Sequence, residues 1–161
     1  ALAQAAEVMK REPLIGLDVE TTLRGHTLCL AQIAGAHTTW LIDALMIDDL
    51  SPLASVLADT EIVKLVHNAA FERTVLERHG LVLEGVVDTM LLSRQRHGVK
   101  ADGGHSLKAV CARELGALLD KQAQVSDWSR RPLHPWQRDY AALDAEVLLR
   151  VYPLLAATAP A

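Results

Sequence analysis

The fold of this chain is decided near its start by the stretch Leu14-Ile15-Gly16-Leu17-Asp18-Val19-Glu20-Thr21-Thr22. Apolar residues alternate with others here, and side chains two apart lie on the same face of a pleated strand. The alternation predicts a strand in which Asp18 and Glu20 point the same way. Two neighbouring carboxylates beside an apolar core repel each other and lose hydration, so they require a proton or a cation.

The segment itself offers no basic partner, because no lysine or arginine lies between Pro13 and Leu23. Hard oxygen ligands of this kind suit Mg²⁺ or Mn²⁺, which leave coordination positions open for a phosphate. The alternative is a strand end that runs into solvent, where both carboxylates would simply be hydrated. The stretch alone does not decide between a metal site and a hydrated strand end.

The composition indicates one domain with a substantial core. The chain has 161 residues, of which 50% are hydrophobic and 4% aromatic, so aliphatic side chains are expected to fill the core. Cys29 and Cys111 lie in apolar contexts without metal-ligand spacing, which predicts reduced thiols in a cytoplasmic protein. The absence of a long apolar run and of a signal-like start predicts a soluble protein with no membrane partner. The net charge of −4 argues against broad coating of nucleic acid but allows an enzyme that grips a few nucleotides in one metal-filled cleft.

The order of the predicted elements is typical of a layered α/β domain. Three apolar strands with short glycine-containing connections predict an antiparallel meander over residues 14–43. A helix opens at Ser51, and strands and helices then alternate, with Asn68 and Ser106 as predicted N-caps. The polar loop 98–104 is the best candidate for a mobile segment. We therefore predict a mixed sheet flanked by helices, in a single domain that covers the whole chain.

The predicted last helix, about residues 136–151, carries an acidic residue inside its apolar stripe. Apolar residues recur at helical spacing from Tyr140 onward, and Asp144 falls among them. A carboxylate on the buried side of a helix costs several kcal/mol unless it is paired or metal-bound. The alternatives are a buried salt bridge, for example to Arg73 or Arg138, and a metal site. Tyr140 has the alternative of being an ordinary core tyrosine.

Glu72 poses the same question, because it lies on or beside the apolar face of the helix predicted after Asn68. Asp18, Glu20, Glu72 and Asp144 are thus four inward carboxylates from three separate elements. Three independent salt bridges could explain them. One shared divalent-metal site explains all four at once.

Three motifs carry a family resemblance. They are Asp18-x-Glu20 on the first strand, His67-Asn68-Ala69-Ala70-Phe71-Glu72 at a strand-to-helix junction, and Tyr140-x-x-x-Asp144 on the late helix. In this order they resemble the DEDD superfamily of 3′-5′ exonucleases, in its tyrosine-containing branch. The segments between them are similar to ribonuclease D and to the exonuclease domain of the Werner-syndrome helicase at Asp88–Leu92, Ser106–Lys108 and Leu119–Gln137.

The resemblance implies a ribonuclease-H-like α/β fold with a mixed five-stranded sheet, which agrees with the element order. It also implies two divalent ions, Mg²⁺ or Mn²⁺. By this resemblance Asp18, Glu20 and Asp144 hold the first ion, and Asp18 bridges to the second. Glu72 holds the second ion, directly or through water, and Tyr140 orients the attacking water.

The implied function is a 3′-5′ exonuclease that releases nucleoside 5′-monophosphates from the 3′ end of single-stranded DNA or RNA. The expected substrate-binding residues come from the second motif and from the segment before the last helix, namely His67, Asn68, Phe71, Lys121, Trp128, Arg130 and Arg131. Arginine can grip two phosphate oxygens at once. Trp128 is expected either to stack on a base or to lie in the core.

The chain departs from the family pattern in two ways. The second motif usually ends in aspartate, where this chain has Glu72, and the longer side chain bears on the geometry and preferred ion of the second metal site. Ribonuclease D also carries helical RNA-binding domains after its nuclease domain. This chain is therefore expected either to act alone, as a homo-oligomer or on very short substrates, or to be a piece of a longer protein. The competing function is a nuclease-like module that binds nucleic acid or a protein without cutting.

Overall fold

A computed structural model describes residues 1–120 and 122–157. Along the chain its helices and strands are α1 (Leu2–Met9), β1 (Leu14–Thr21), β2 (Leu28–Ala34), β3 (Thr39–Asp43), α2 (Ala54–Leu57), β4 (Val63–Val66), α3 (Ala69–Glu77), β5 (Val86–Asp88), α4 (Thr89–His97), α5 (Leu107–Leu115) and α6 (Pro135–Ala156). Short 3₁₀ turns lie at Ser51–Leu53 and Gln122–Val125. None of the helices in this part of the chain has the length and hydropathy needed to cross a membrane.

The five strands form one mixed sheet in the order β3-β2-β1-β4-β5. β1 pairs with β2, and β2 with β3, in antiparallel orientation, whereas β4 is parallel to both β1 and β5. This confirms the predicted meander, the later alternation and the mixed sheet. β1 pairs with β4 only over Leu14–Gly16 but with β2 over Gly16–Thr21, so the second half of β1 is open on its β4 side. Asp18 and Glu20 lie in that open half.

The two faces of β1 have different neighbours. Ile15, Leu17 and Val19 are buried in an aliphatic core that also takes in residues of α1, α2 and α3. The other face, which carries Gly16, packs against α6. The alternation of β1 therefore puts its apolar side chains into the core and its two acids on the α6 side.

Gly16 lets α6 lie directly on β1. A Cβ atom built on Gly16 would sit 2.1 Å from the backbone oxygen of Ala145, which is too close for any side chain. We expect Gly16→Ala to lower the free energy of unfolding by about 3 kcal/mol, because the clash is with backbone that cannot rotate away. Denaturant unfolding measures this loss. The control is Gly35→Ala, whose added Cβ meets only the flexible Glu12 side chain; an equal loss in both variants would contradict the backbone explanation.

The start of α3 differs in detail from the prediction. Asn68 occupies the N-cap, but it has a left-handed backbone (φ 70°, ψ 62°) and its side chain makes no capping hydrogen bond. The Asp88 carboxylate at the end of β5 accepts instead, from the backbone N–H groups of Asn68 at 3.1 Å and Ala69 at 2.9 Å. It also accepts from the N–H of Met90 at 2.9 Å, so one carboxylate caps both α3 and α4. This is a tertiary contact that the local sequence does not contain.

Other predictions have mixed outcomes. Ser106 caps α5 as predicted, with its hydroxyl accepting from the Ala109 N–H at 3.2 Å. Cys29 and Cys111 are buried and form no disulfide, also as predicted. The helix predicted to open at Ser51 starts instead as a 3₁₀ turn, which has no side-chain cap. Leu143, one of the apolar residues at helical spacing after Tyr140, is 43% exposed, so it does not belong to the buried stripe of α6.

Candidate active site

The carboxylates of Asp18, Glu20 and Asp144 meet where β1 opens. One oxygen from each of the three side chains lies within 4.8 Å of the others. Asp18 and Glu20 come from one face of β1, as the alternation predicted, and Asp144 comes from α6, which packs on that face. Asp144 comes close to the two acids of β1 because α6 packs directly against Gly16.

Glu72 joins this group from α3, on the side of Asp18. It is 3% exposed, and its Oε2 has no hydrogen-bond partner among the described residues. Burial and the neighbouring Asp18 charge both raise the pKa of Glu72. The four carboxylates predicted from three separate elements therefore lie in one site, although Glu72 is not part of the tight group of three.

Separate salt bridges do not explain these acids. Among the described residues, none of the ion pairs includes any of the four carboxylates. Arg73, one of the predicted partners of Asp144, donates instead to the Leu83 carbonyl at 2.6 Å. Glu20 has one neutral partner, Gln32, whose Nε2 donates to Glu20 Oε1 at 3.2 Å. Gln32 was not predicted as a site residue, because its role depends on the register of β2 against β1.

Burial shifts the protonation of the whole cluster. Loss of hydration raises the pKa of Glu20 and of Glu72 to about 9, and that of Asp144 to about 7, and neighbouring carboxylates add to each shift. Burial and the Asp144 charge also raise the pKa of Tyr140, so the phenol keeps its proton. Four carboxylates without a salt-bridge partner among the described residues are a donor set suited to a divalent ion, which would favour their ionised forms.

The shifts predict how the metal-free protein responds to pH. Glu20 and Glu72 have pKa values near 4.5 when unfolded and about 9 when folded, so the folded state binds more protons between these values. Stability therefore falls as pH rises through this window. We expect the thermal midpoint in EDTA to drop by several degrees between about pH 7 and pH 9, and Glu20→Gln to flatten that slope. An unchanged slope in Glu20→Gln would contradict the shifted pKa of Glu20.

A cleft of about 370 Å³ opens over the carboxylates. Of the predicted substrate-binding residues it is lined by His67, Asn68 and Phe71, and Tyr140 and all four acids also face it. The structure adds lining residues that were not predicted as site residues, namely Val19, Met90, Ser106, Leu107, Lys108, Leu119, Asp120 and Gln124. Most of these lie in the segments that carried the family resemblance, which was the available signal for them.

The expectation that Trp128 stacks on a base is wrong, and its core alternative holds. Trp128 is 1% exposed and packs in a small core cluster with Cys29, Leu30 and Ala141. Its ring lies 6.1 Å from the ring of Tyr140, centre to centre. Trp128 therefore packs against Tyr140 from within this core cluster.

The expectation that Arg131 binds a phosphate is also wrong. Its guanidinium forms a two-point ion pair with Asp43, at 2.6 Å from Nε and 2.7 Å from Nη2. It also donates to the carbonyls of Cys29 and Trp128, so its donors are committed to the protein. Arg130 is exposed but does not line the cleft, and Lys121 lies outside the described residues.

Comparison with known proteins identifies the family. A family model described as 3′-5′ exonuclease matches residues 1–158. The chain belongs to the 3′-5′ exonuclease family. Ribonuclease D of Gluconacetobacter diazotrophicus is 35% identical to it over 161 residues, an alignment that covers 96% of this chain and 40% of that relative. The exonuclease chain thus spans about two fifths of the length of this curated relative.

Solved structures agree with this assignment. Escherichia coli ribonuclease D superposes with a TM-score of 0.83 at 32% identity, covering 96% of this exonuclease chain and 41% of that one. Brucella melitensis NrnC bound to pGG gives a TM-score of 0.79 at 29% identity, covering 90% and 72% respectively. NrnC has also been solved with bound Mg²⁺. The ribonuclease-H-like fold and the ribonuclease D type of exonuclease are therefore confirmed, as the three motifs predicted.

Proposed function

We propose that this chain is a metal-dependent 3′-5′ exonuclease domain, formed by residues 1–161 as one unit. Its substrate is the 3′ end of single-stranded DNA or RNA, and its product is a nucleoside 5′-monophosphate. The observation that carries the proposal is the meeting of Asp18, Glu20 and Asp144 within 4.8 Å, without a protein cation among the described residues. The Mg²⁺ and the pGG bound by NrnC, a structural relative, support both the cofactor class and the substrate class.

Two ions, Mg²⁺ or Mn²⁺, fit the donors that the chain offers. Asp18, Glu20 and Asp144 would hold one ion, and Asp18 and Glu72, whose Oε2 has no hydrogen-bond partner among the described residues, would hold the other. Such ions, when bound, lower the pKa of water and stabilise charge on the attacking and leaving oxygens of a phosphodiester. The protein supplies the buried, acidic end of the cleft that makes their binding favourable.

Tyr140 and the cleft walls perform the positioning. Because its raised pKa keeps the phenol protonated, Tyr140 acts through hydrogen bonds rather than as a base. Its hydroxyl, which hydrogen-bonds Asp144, can orient a water through its oxygen. Phe71, Met90 and Leu107 give the cleft apolar walls suited to a base and its sugar. A volume of about 370 Å³ is at the small end of ligand sites, which suits a terminal nucleotide rather than a duplex.

The test uses DNA and RNA oligonucleotides of graded length, labelled at the 5′ end, with Mg²⁺ or Mn²⁺ and with EDTA. We expect a ladder that shortens one nucleotide at a time from the 3′ end, and no shortening in EDTA. The preferred sugar and length are read from the same gels. Binding without shortening would favour the non-cutting module, and internal cleavage would exclude an exonuclease.

A further inference from the structure

The cleft is strongly acidic, but one side chain opposes that charge. Among the described lining residues, Lys108 is the single lysine or arginine. It is exposed, and it takes part in none of the ion pairs formed within the described residues. Arg131 is bound to Asp43, and Arg130 does not line the cleft. Neither arginine is therefore placed to make the phosphate contact that was expected of it.

The position of Lys108 on its helix is unfavourable for stability. Ser106 is the N-cap of α5, so Lys108 is the second residue of the helix, and no acidic residue lies in that first turn. The N-terminal end of a helix carries partial positive charge and therefore repels a cation. No contact within the described residues offsets this cost. An anion in the cleft would offset it.

Two histidines fix the turn that carries Lys108. The Nε2 of His67 donates to the carbonyl of His105 at 2.8 Å, immediately before the N-cap of α5. The Nε2 of His105 donates to the carbonyl of Gly98 at 2.8 Å, and its Nδ1 lies 2.7 Å from the hydroxyl of Ser93. His105 is 8% exposed and Ser93 is fully buried, so no substrate reaches this pair. Its effect on the cleft is through the position of α5.

Arg113 also stabilises the loop that precedes α5. Its Nη2 donates to the carbonyls of Asp102 at 2.9 Å and Gly104 at 2.7 Å, and its Nη1 donates to Ser93 Oγ at 3.3 Å. The loop 98–104, predicted to be mobile, is thus tied by side chains at its beginning and its end. The α5 wall of the cleft is held in place before substrate binds.

We propose that Lys108 binds a backbone phosphate of the nucleic-acid strand on the α5 wall of the cleft, and that His105 is a positioning residue for Lys108. The proposal rests on the proposed function and adds a substrate contact to it. A lysine ammonium acts on phosphate as a point charge, so the contact is independent of sequence. It gives the acidic cleft one charge that attracts the strand.

The test compares Lys108→Gln and Lys108→Arg with the wild-type protein on a short single-stranded oligonucleotide. We expect Lys108→Gln to raise KM about tenfold at low salt, with kcat within about twofold of wild type, since the contact exists before the chemical step. The slope of log kcat/KM against log salt should become shallower by about 0.7 between about 50 and 200 mM, the value for one phosphate contact on a single strand. Lys108→Arg should restore most of the affinity.

Thermal unfolding separates a binding role from a structural one. Because Lys108 sits at the positive end of α5, Lys108→Gln should leave the thermal midpoint unchanged or raise it. Lys100→Gln is the matched control, since Lys100 is an exposed cation in the adjacent loop that does not line the cleft. Equal salt slopes for Lys108→Gln and wild type, or equal effects of the two glutamine variants, would overturn the proposal.

A double-mutant cycle tests the positioning role of His105. His105→Ala should raise KM in the wild-type background but add little in the Lys108→Gln background. Ser93→Ala, a milder change in the same network, replaces it if His105→Ala lowers the thermal midpoint. Full additivity would overturn the positioning role.

If no protein, wild type included, hydrolyses the strand, the proposed function fails. The role of Lys108 in binding is then tested by fluorescence anisotropy with the same oligonucleotide in Ca²⁺, where Lys108→Gln should bind about tenfold more weakly. Equal affinities would overturn the proposal for Lys108.

Discussion

Asp144→Asn is expected to lower the rate of 3′-terminal hydrolysis by at least about a thousandfold. The asparagine keeps the shape of the side chain but removes the charge from one of three carboxylates that lie within 4.8 Å. The site then loses a ligand that no neighbouring residue replaces. Single-turnover assays with Mg²⁺ and with Mn²⁺ measure the loss, and Asp18→Asn should cause one of similar size.

The fold should survive the change, because Asp144 makes no salt bridge among the described residues. Its removal also relieves repulsion with Asp18, so the thermal midpoint of the metal-free variant should equal or exceed that of wild type. Glu146→Gln is the control on the same helix, since Glu146 is exposed and accepts a hydrogen bond from Thr39. Wild-type activity in Asp144→Asn would remove the metal assignment from this cluster.

Glu72→Ala is expected to lower the rate at least about tenfold, the loss expected when one metal ligand or its support is removed. The buried Oε2 of Glu72 has no protein partner in the described residues, which leaves it available to an ion. Removing an unpaired buried carboxylate should at the same time raise the stability of the metal-free protein above about pH 7. Rates and thermal midpoints measured on one preparation show both effects.

Glu72→Asp tests whether the rate depends on the charge of this side chain or on its length. It keeps the carboxylate and restores the residue usual in this motif, so a rate much closer to wild type than that of Glu72→Ala is expected, with a changed ratio of Mg²⁺ to Mn²⁺ activity. A wild-type rate in Glu72→Ala would show that another group holds the second ion. Equal losses in both variants would show that the position, rather than the carboxylate, matters.

The sequence predicted the acidic site well because strand and helix periodicity fix the faces of residues. Asp18 and Glu20 are two apart on a strand, and Asp144 interrupts an apolar helical stripe, so their inward directions follow from local geometry. The family motifs then predicted that the four acids meet, which the structure confirms by bringing Glu72 beside Asp18.

The sequence predicted the substrate contacts less well because they depend on tertiary partners. Arg131 forms an ion pair with Asp43, which lies 88 residues earlier in the chain. The sequence around Arg131 does not indicate that partner. Trp128 is an aromatic residue in a polar segment, yet it is drawn into the core beside Tyr140. Lys108 was visible in the sequence but became a candidate only once the walls of the cleft were known.

The contact of α6 with Gly16 has a consequence for any attempt to re-engineer this domain. The gap between Asp144 and the two acids of β1 is set by main chain resting on main chain, with no side chain between them. Substitutions in the aliphatic core can thus change the free energy of unfolding without changing that spacing. We therefore expect the ion preference to depend on the length of the acidic side chains themselves, and Glu72, one methylene longer than the aspartate usual in this motif, is the position at which to test it.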